Sequence, residues 1–535
     1  MSKETKKPKK IEKVLSLEER LWETAEHLRG PLESAQYKYI ALGLMFLKFI
    51  SDRFEERRTE LEEETKNPKS QNYCKTEQQR QFVLDDKDQY FRKSIPYLKK
   101  GVRWVDLQNA AKTQNIGIQI DKMQLQIEHD NLILAGVLPR VYGESKIPNE
   151  NLQELVNLFS GIGFGTKELA DRDSFGRAYE FFIKKFAKNE GNRAGEFYTP
   201  SSIVRLIVEI LEPYEGKIYD PTCGSGGMFV QSMKFLDAHK EKKGKKGVAI
   251  YGQEIKDGVW RLCKMNLVLR GIDSTNVVLG DSLKNDKFSG MKFDRVMANP
   301  PFNVREWGYD QLKEDKRWKY GVPSDSKPGG NYAFMQHMIH HLDENDGKLG
   351  LVLANGSMSA GGNEGEIRKK IVEADLVDCM VALPTNLFFT VTIPACLWFI
   401  AKNKNDGESR KRIGQTLFID ARKIFTPVDR RTNEFSEEQL QRIAGTYRSY
   451  IGEKGYPKYE DISGYCKVAT IEDIAKNNFV LTPGRYVGAE DVEEDDEPFE
   501  DKMKRLVKEY SELSEKSKDL DKEIRKNLKE LGFEI

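Results

Sequence analysis

Seven short apolar runs, residues 217–219, 248–252, 276–279, 293–297, 349–354, 377–383 and 395–401, alternate with helical patterns beyond Gly191. Parallel neighbours in a sheet need long crossover connections, and a sheet crossed by helices must bury both faces. The alternation therefore restricts this region to α/β: a doubly wound, mainly parallel, seven-stranded sheet. In such sheets ligands sit at the carboxyl ends of the strands, where the strand order switches. The residues that follow each run are the ones to read.

The first run ends in Asp220-Pro221-Thr222-Cys223-Gly224-Ser225-Gly226-Gly227, and a helical pattern follows at once. Glycines there let the backbone turn tightly and approach a ligand, with helix N–H groups aimed at it. The dinucleotide fingerprint would want a third glycine where Phe229 stands, and an aspartate ahead of the first glycine suits a cationic ligand group better than a pyrophosphate. The second run leads into Glu254, whose carboxylate can accept from both hydroxyls of a ribose; the third leads into Asp281-Ser282, where a second carboxylate can accept from an adenine amine. Each acidic strand end alone is more often a cap. Together they outline a cofactor site.

The fourth run closes on Asn299-Pro300-Pro301-Phe302. Proline lacks the N–H and fixes φ, so Asn299 is held extended and the carbonyls are left as acceptors without a local donor. The Asn299 side-chain oxygen and the Pro300 carbonyl can then accept from an exocyclic NH2 while Phe302 stacks on the ring that bears it. Alone, such a tetrapeptide reads as a strand-to-turn junction; beside three acidic strand ends it reads as a substrate site.

At 535 residues with 32% charged side chains the chain has room for several domains and reads as soluble. The formal charge of +1 excludes a stand-alone polycation that grips nucleic acid unaided. Six scattered cysteines with no CxxC pair fit reduced thiols in a cytoplasmic protein and give no zinc spacing. The expected order is a basic flexible segment (1–20), an N-terminal α-helical domain (21–170) with one long helix near 32–64, the α/β domain (171–425), a mixed region (426–489), an acidic linker (490–500) and a tail helix (501–535). In the tail, Met503, Leu506, Tyr510, Leu513, Leu520, Ile524 and Leu531 follow a three-four spacing with Ser517 and Asn527 in the seam. So narrow a stripe wants a partner helix, the bland alternative being a helix folded back on its own chain.

These motifs resemble the modification (methyltransferase) subunits of type I restriction-modification systems, the HsdM family of gamma-order DNA adenine-N6 methyltransferases. The resemblance runs from about Leu21 to Tyr486 and rests on Gly195-Glu196-Phe197-Tyr198-Thr199-Pro200 ahead of DPTCGSGG with NPPF last, and on the stretches FGRAYEFFIKKFA, GGNEGEIRKKIVE and TIPACLWF. Ala395 in the last stretch stands where Thr or Ser is expected. The resemblance implies the class I S-adenosylmethionine-dependent methyltransferase fold with S-adenosyl-L-methionine as cofactor. It implies that Glu196, Phe197, Tyr198, Thr199 and Pro200, with Asp220, Thr222, Gly224, Ser225 and Gly226, hold the methionine part, Glu254 the ribose, and Asp281 with Ser282 the adenine. It further implies a site-specific, adenine-specific methyltransferase acting on double-stranded DNA, its target base flipped out. The implied partners are a specificity subunit docked on the tail, a second copy of the chain and a restriction subunit, with no membrane.

Two further features stand outside these motifs. His337, His340 and His341 have helical ligand spacing, but no acidic cluster stands near them in the sequence, so they read as a packing and capping face and no metal is assigned. The span 304–331 mixes Trp307, Tyr309, Trp318 and Tyr320 with Arg305, Lys313, Lys316, Arg317 and Lys319, and is expected to form a loop over the target strand, the alternative being a plain surface loop. The competing readings are a methyltransferase for another planar amide or amine, and a non-catalytic assembly subunit.

Overall fold

The computed structural model describes residues 16–30, 32–110, 115–161, 172–190, 199–242, 247–388, 394–405, 407, 409–429, 432–488 and 499–530. The predicted basic segment up to residue 15, Glu196, Phe197, Tyr198, residues 490–498 of the acidic run, and Leu531 lie outside them.

The helical region opens with α1 (Leu17–His27), started by a capping box in which Ser16 and Glu19 exchange side chain-to-backbone bonds. The long predicted helix is α2 (Ser34–Lys66). Its Leu42, Phe46 and Phe49 are buried as their spacing requires, and they pack with α3 (Ile116–Asp130), α4 (Asn149–Ser160) and α5 (Arg172–Glu190) in one apolar core.

The α/β region follows: α6 (Ser201–Leu211), β1 (Gly216–Asp220), α7 (Gly227–Ala238), β2 (Val248–Glu254), α8 (Asp257–Leu269), β3 (Val277–Leu279), β4 (Arg295–Ala298), α9 (Lys327–His341), β5 (Lys348–Ala354), α10 (Gly362–Glu373), β6 (Val377–Ala382), β7 (Ala395–Ala401) and β8 (Gln415–Asp420). After α11 (Glu437–Ile451) comes β9 (Cys466–Thr470). All seven predicted runs are strands of one sheet, but the sheet has nine, in the order β9-β8-β6-β7-β5-β4-β1-β2-β3. Of the two others, β8 covers residues 415–419, which also read as a strand in the sequence, and pairs parallel to β6; β9, from the region expected to be mixed, pairs antiparallel to β8. β7 runs antiparallel between β5 and β6, with Ala354 opposite Ala395. The sheet's apolar residues divide between two clusters, one on each face. Leu262, Met265 and Leu269 of α8 belong instead to the helical core, so α8 joins the two regions.

Gly488–Ile535 forms a unit of its own. Within it α12 (Phe499–Glu530) is a single helix whose Met503, Tyr510, Leu513, Leu520 and Ile524 are exposed.

Candidate active site

The carboxyl ends of β4, β1, β2 and β3 lie next to one another in the sheet. A cavity of about 330 Å³ opens over them, lined by Thr222, Gly224 and Ser225 after β1, Glu254, Ile255 and Lys256 after β2, Asp281 and Ser282 after β3, and Asn299 and Pro301 after β4. The facing wall comes from elsewhere: Lys38 of α2, Ile183 and Ala187 of α5, then Trp307 and Phe334.

The turn after β1 needs its glycines. Gly224 and Gly226 have φ of +53° and +80°, and a Cβ on Gly226 would stand 2.9 Å from the Cys263 sulfur. The Gly224 N–H donates to one oxygen of Glu254 at 3.0 Å and the Lys256 N–H to the other at 2.9 Å, so the carboxylate is fixed in the cavity wall. The Ser225 carbonyl accepts from Asn266 at 2.7 Å; Arg270 donates to the Asn266 carbonyl at 3.1 Å and to that of Gly176 in α5 at 2.8 Å. The turn is thus fastened to α8 and, through Arg270, to α5. Asp220 is buried beneath it and lies outside the cavity lining, accepting from the Thr222 N–H at 2.9 Å. Burial, with the Glu254 charge nearby, pushes its carboxyl up to about 8.

Asp281 accepts from the Leu283 and Lys284 N–H groups at 2.9 and 3.1 Å and faces the cavity. The Ser282 hydroxyl, expected to face a ligand, donates instead to the Pro221 carbonyl and ties the third strand end to the first.

Asn299 is held from one side. Its Nδ2 donates to the Thr199 hydroxyl at 2.9 Å, while its Oδ1 is buried with no hydrogen-bond partner among the described residues. A buried acceptor left unpaired is costly, and it is poised for a donor that arrives from outside. Pro200, buried, caps α6 next to Thr199, and Pro300 is buried in turn. Phe302 lies outside the cavity lining; half-buried, it meets Phe388 edge to face with centroids 6.3 Å apart. Beyond it Asn303 and Asn331 exchange two hydrogen bonds of 2.9 and 3.0 Å, which fixes the direction of the chain as it leaves the motif.

Two expectations change. In the span 304–331 three of the four aromatics form no surface: Trp307, Trp318 and Tyr320 are buried in the apolar cluster on one sheet face, Trp307 and Trp318 edge to face at 5.3 Å, whereas Tyr309 is half-buried and Arg305, Lys313, Lys316 and Lys319 stay exposed. Arg317, also buried, donates to the Ser282 and Leu283 carbonyls, to Asp315 and to His337 Nδ1 at 2.9 Å, so the span is clamped to the third strand end. Tertiary packing has claimed side chains whose composition alone suggested a nucleic-acid face. The histidines do have a carboxylate nearby, from Asp286, with ligand atoms within 4.8 Å of one another. Every ring nitrogen of the buried pair is nonetheless engaged by protein: His337 by Arg317 and the Tyr219 hydroxyl, His341 by Asp286 and the Met291 carbonyl. Burial, with His341 and Arg317 beside it, holds His337 well below the usual imidazole range.

The sequence matches the family described as N-6 DNA Methylase over residues 170–495 and the HsdM N-terminal domain over 17–159. The MjaIX methylase subunit of the type I restriction enzyme of Methanocaldococcus jannaschii is 42% identical over 96% of this chain and 91% of its own length. The chain belongs to the type I restriction enzyme methylase subunits. The HindI methylase subunit of Haemophilus influenzae is 45% identical over 79% of this chain and 94% of its own. The crystal structure of a type I restriction-modification methyltransferase subunit from Streptococcus thermophilus shares the fold with a TM-score of 0.72, at 24% identity, covering 88% of this chain and 99% of that one.

For a methylase subunit, several cavity residues carry no motif. Ile255 is 62% exposed directly after the acidic end of β2, an apolar surface on the cavity wall that its position could have flagged. Lys38, Ile183 and Ala187 belong to helices whose patterns speak only of packing, and nothing in the sequence says that those helices reach the cavity.

Proposed function

We propose that this methylase subunit transfers a methyl group from S-adenosyl-L-methionine to the N6 amine of an adenine flipped out of double-stranded DNA. The observation that carries the reading is the buried, unpartnered Oδ1 of Asn299 on the cavity wall, its amide turned away by Thr199. An adenine amine is a poor nucleophile because its lone pair is delocalised into the ring. Acceptance of its two N–H bonds by Asn299 Oδ1 and the Pro300 carbonyl draws the nitrogen towards tetrahedral geometry. The donor set fits the cofactor: a left-handed glycine turn, Glu254 for the ribose hydroxyls, Asp281 for the adenine amine and Ile255 for the face of its ring. Bound there, S-adenosylmethionine would supply an electrophilic methyl group. Glu196, Phe197, Tyr198, Thr199 and Pro200 would hold its methionine part, Thr199 also orienting Asn299. Phe302 would stack on the flipped base, and the cavity would hold the amine and the methyl group in line.

In this reading the chain works in the cytoplasm as an adenine-specific modification subunit that protects host DNA. Its exposed α12 stripe docks on a specificity subunit that reads the target, beside a second copy of the chain and, in the full assembly, a restriction subunit. The chain is incubated with labelled S-adenosylmethionine and DNA, with and without the specificity subunit, and the methylated base is mapped. N6-methyladenine at one sequence, seen only with the partner, supports the reading; Asn299→Ala is expected to abolish transfer while cofactor binding survives. Cofactor binding without transfer in the assembled wild type would turn the assignment towards a non-catalytic or non-DNA role.

A further inference from the structure

Between β8 and α11 the chain forms a two-stranded ribbon, Thr426–Asp429 paired antiparallel with Thr432–Glu434, that is separate from the nine-stranded sheet. Its place follows from the strand directions. β8 runs parallel to β6, β6 and β5 each run antiparallel to β7, and β5 runs parallel to β4, so β8 ends on the same rim as Asn299. The ribbon follows that end and is fastened on two sides. The Asn433 N–H and Nδ2 donate to the carbonyls of Asn386 and Thr385 at 2.8 and 2.9 Å, and Asp429 meets Lys188 of α5 at 3.7 Å. Asn386 stands two residues before Phe388, whose ring meets Phe302. The ribbon is thereby held beside the connection that borders the Asn-Pro-Pro-Phe motif.

Two short strands cannot cover their own side chains. Residues 425–429 are all exposed, Phe425 by 37% and Val428 by 54%. In the sequence, residues 422–434 carry four cations against two anions. Apolar side chains among cations suit DNA, whose major groove admits a two-stranded ribbon and whose bases offer apolar surface between lines of phosphates. An apolar protein face would match Phe425 and Val428 and leave the excess of cations unanswered.

We infer that this ribbon contacts the DNA flanking the target adenine, a second contact beyond the cavity that receives the base. This rests on the DNA methyltransferase reading above. Four strand spacings separate β4 from β8 in the sheet, about 19 Å. A duplex lying along the rim, with its adenine turned into the cavity, passes the ribbon about half a helical turn away. The attraction depends on net charge near the phosphates and requires no idle donor, so the ion pair between Arg422 and Asp420 is compatible with it.

The test uses the full chain assembled with its specificity subunit and measures the affinity for a duplex that carries the mapped methylation site. Phe425→Glu with Val428→Glu is expected to weaken DNA binding by about tenfold at 0.1 M salt, and by more at lower salt. Phe425→Lys with Val428→Lys should bind as tightly as wild type or more tightly, since a lysine keeps an apolar stem and adds a charge of the favoured sign. Both pairs remove the same two apolar side chains, so a folding defect would strike both, whereas nearby phosphates separate them. Equal weakening by the two pairs, or no effect of either, overturns the proposal. Loss of co-purification with the specificity subunit in the glutamate pair assigns the ribbon to a protein partner and overturns it as well. A wild-type assembly that methylates no DNA overturns the methyltransferase reading beneath it.

Discussion

The hydroxyl of Thr199 and the amide of Asn299, a hundred residues apart, are joined by a 2.9 Å hydrogen bond that leaves the Asn299 oxygen buried and unpaired. Without that bond the carboxamide can rotate and offer its NH2 where an acceptor is needed. Thr199→Val should therefore lower the single-turnover methyl-transfer rate of the assembled enzyme by about ten- to a hundredfold, with cofactor affinity little changed. An unaltered rate would show that Asn299 is oriented by other contacts.

Gly226→Ala combines a left-handed φ with a Cβ 2.9 Å from the Cys263 sulfur. The backbone penalty alone is about 1–2 kcal/mol, to which the contact adds. Thermal denaturation should register the loss, and cofactor titration should show weaker binding as the turn shifts; a neutral substitution would mean that the turn adapts freely.

Asp220 gives a pH dependence of defined sign. Its carboxyl is pushed up from 3.8 to about 8, so the folded chain holds a proton there that the unfolded chain gives up. Stability from this group is complete below about pH 4 and is lost as pH rises through about 8. Asp220→Asn keeps the shape and removes the titration, so the stability of the variant relative to wild type should rise between pH 5 and pH 9 by about a few kcal/mol. Urea midpoints at several pH values measure this, and parallel curves would mean that Asp220 is ionised throughout.

Trp318 is 7% exposed and packs on Trp307 under the 304–331 span. Trp318→Ala should cost about 3–5 kcal/mol in chemical denaturation while the folded variant keeps its affinity for DNA. Weaker DNA binding at undiminished stability would return the aromatics to the nucleic-acid face that composition suggested.

Leu513 and Leu520 on α12 are 58% and 59% exposed. The double substitution Leu513→Glu and Leu520→Glu should leave thermal stability within about 0.5 kcal/mol, as surface changes do. Co-purification with the specificity subunit should be lost. Retained assembly would place the docking surface elsewhere.

Much of this architecture was legible because it is local. Strand ends followed by Asp220, Glu254, Asp281 and Asn299 announce themselves as short apolar runs that break at a turn. What escaped depends on contacts far apart in the chain. β9 joins the sheet only because β8 offers it an edge, and α2 reaches the cavity because Tyr39 abuts Gly258. Arg317 and the tryptophans carry the composition of a binding loop, yet Arg317 is held by the Ser282 and Leu283 carbonyls more than thirty positions away. Periodicity cannot report such pairings; only the closed fold decides whether a basic, aromatic span faces water or the core.

The reversed direction of β7 decides what stands beside the Asn299 motif. With Ala395 opposite Ala354, the connection entering β7 reaches the same rim as Asn299, and Phe388, which lies on it, touches Phe302. Had β7 run parallel, that connection would have emerged at the far rim. As built, a change at Phe388 alters what surrounds Phe302 while every strand keeps its neighbours.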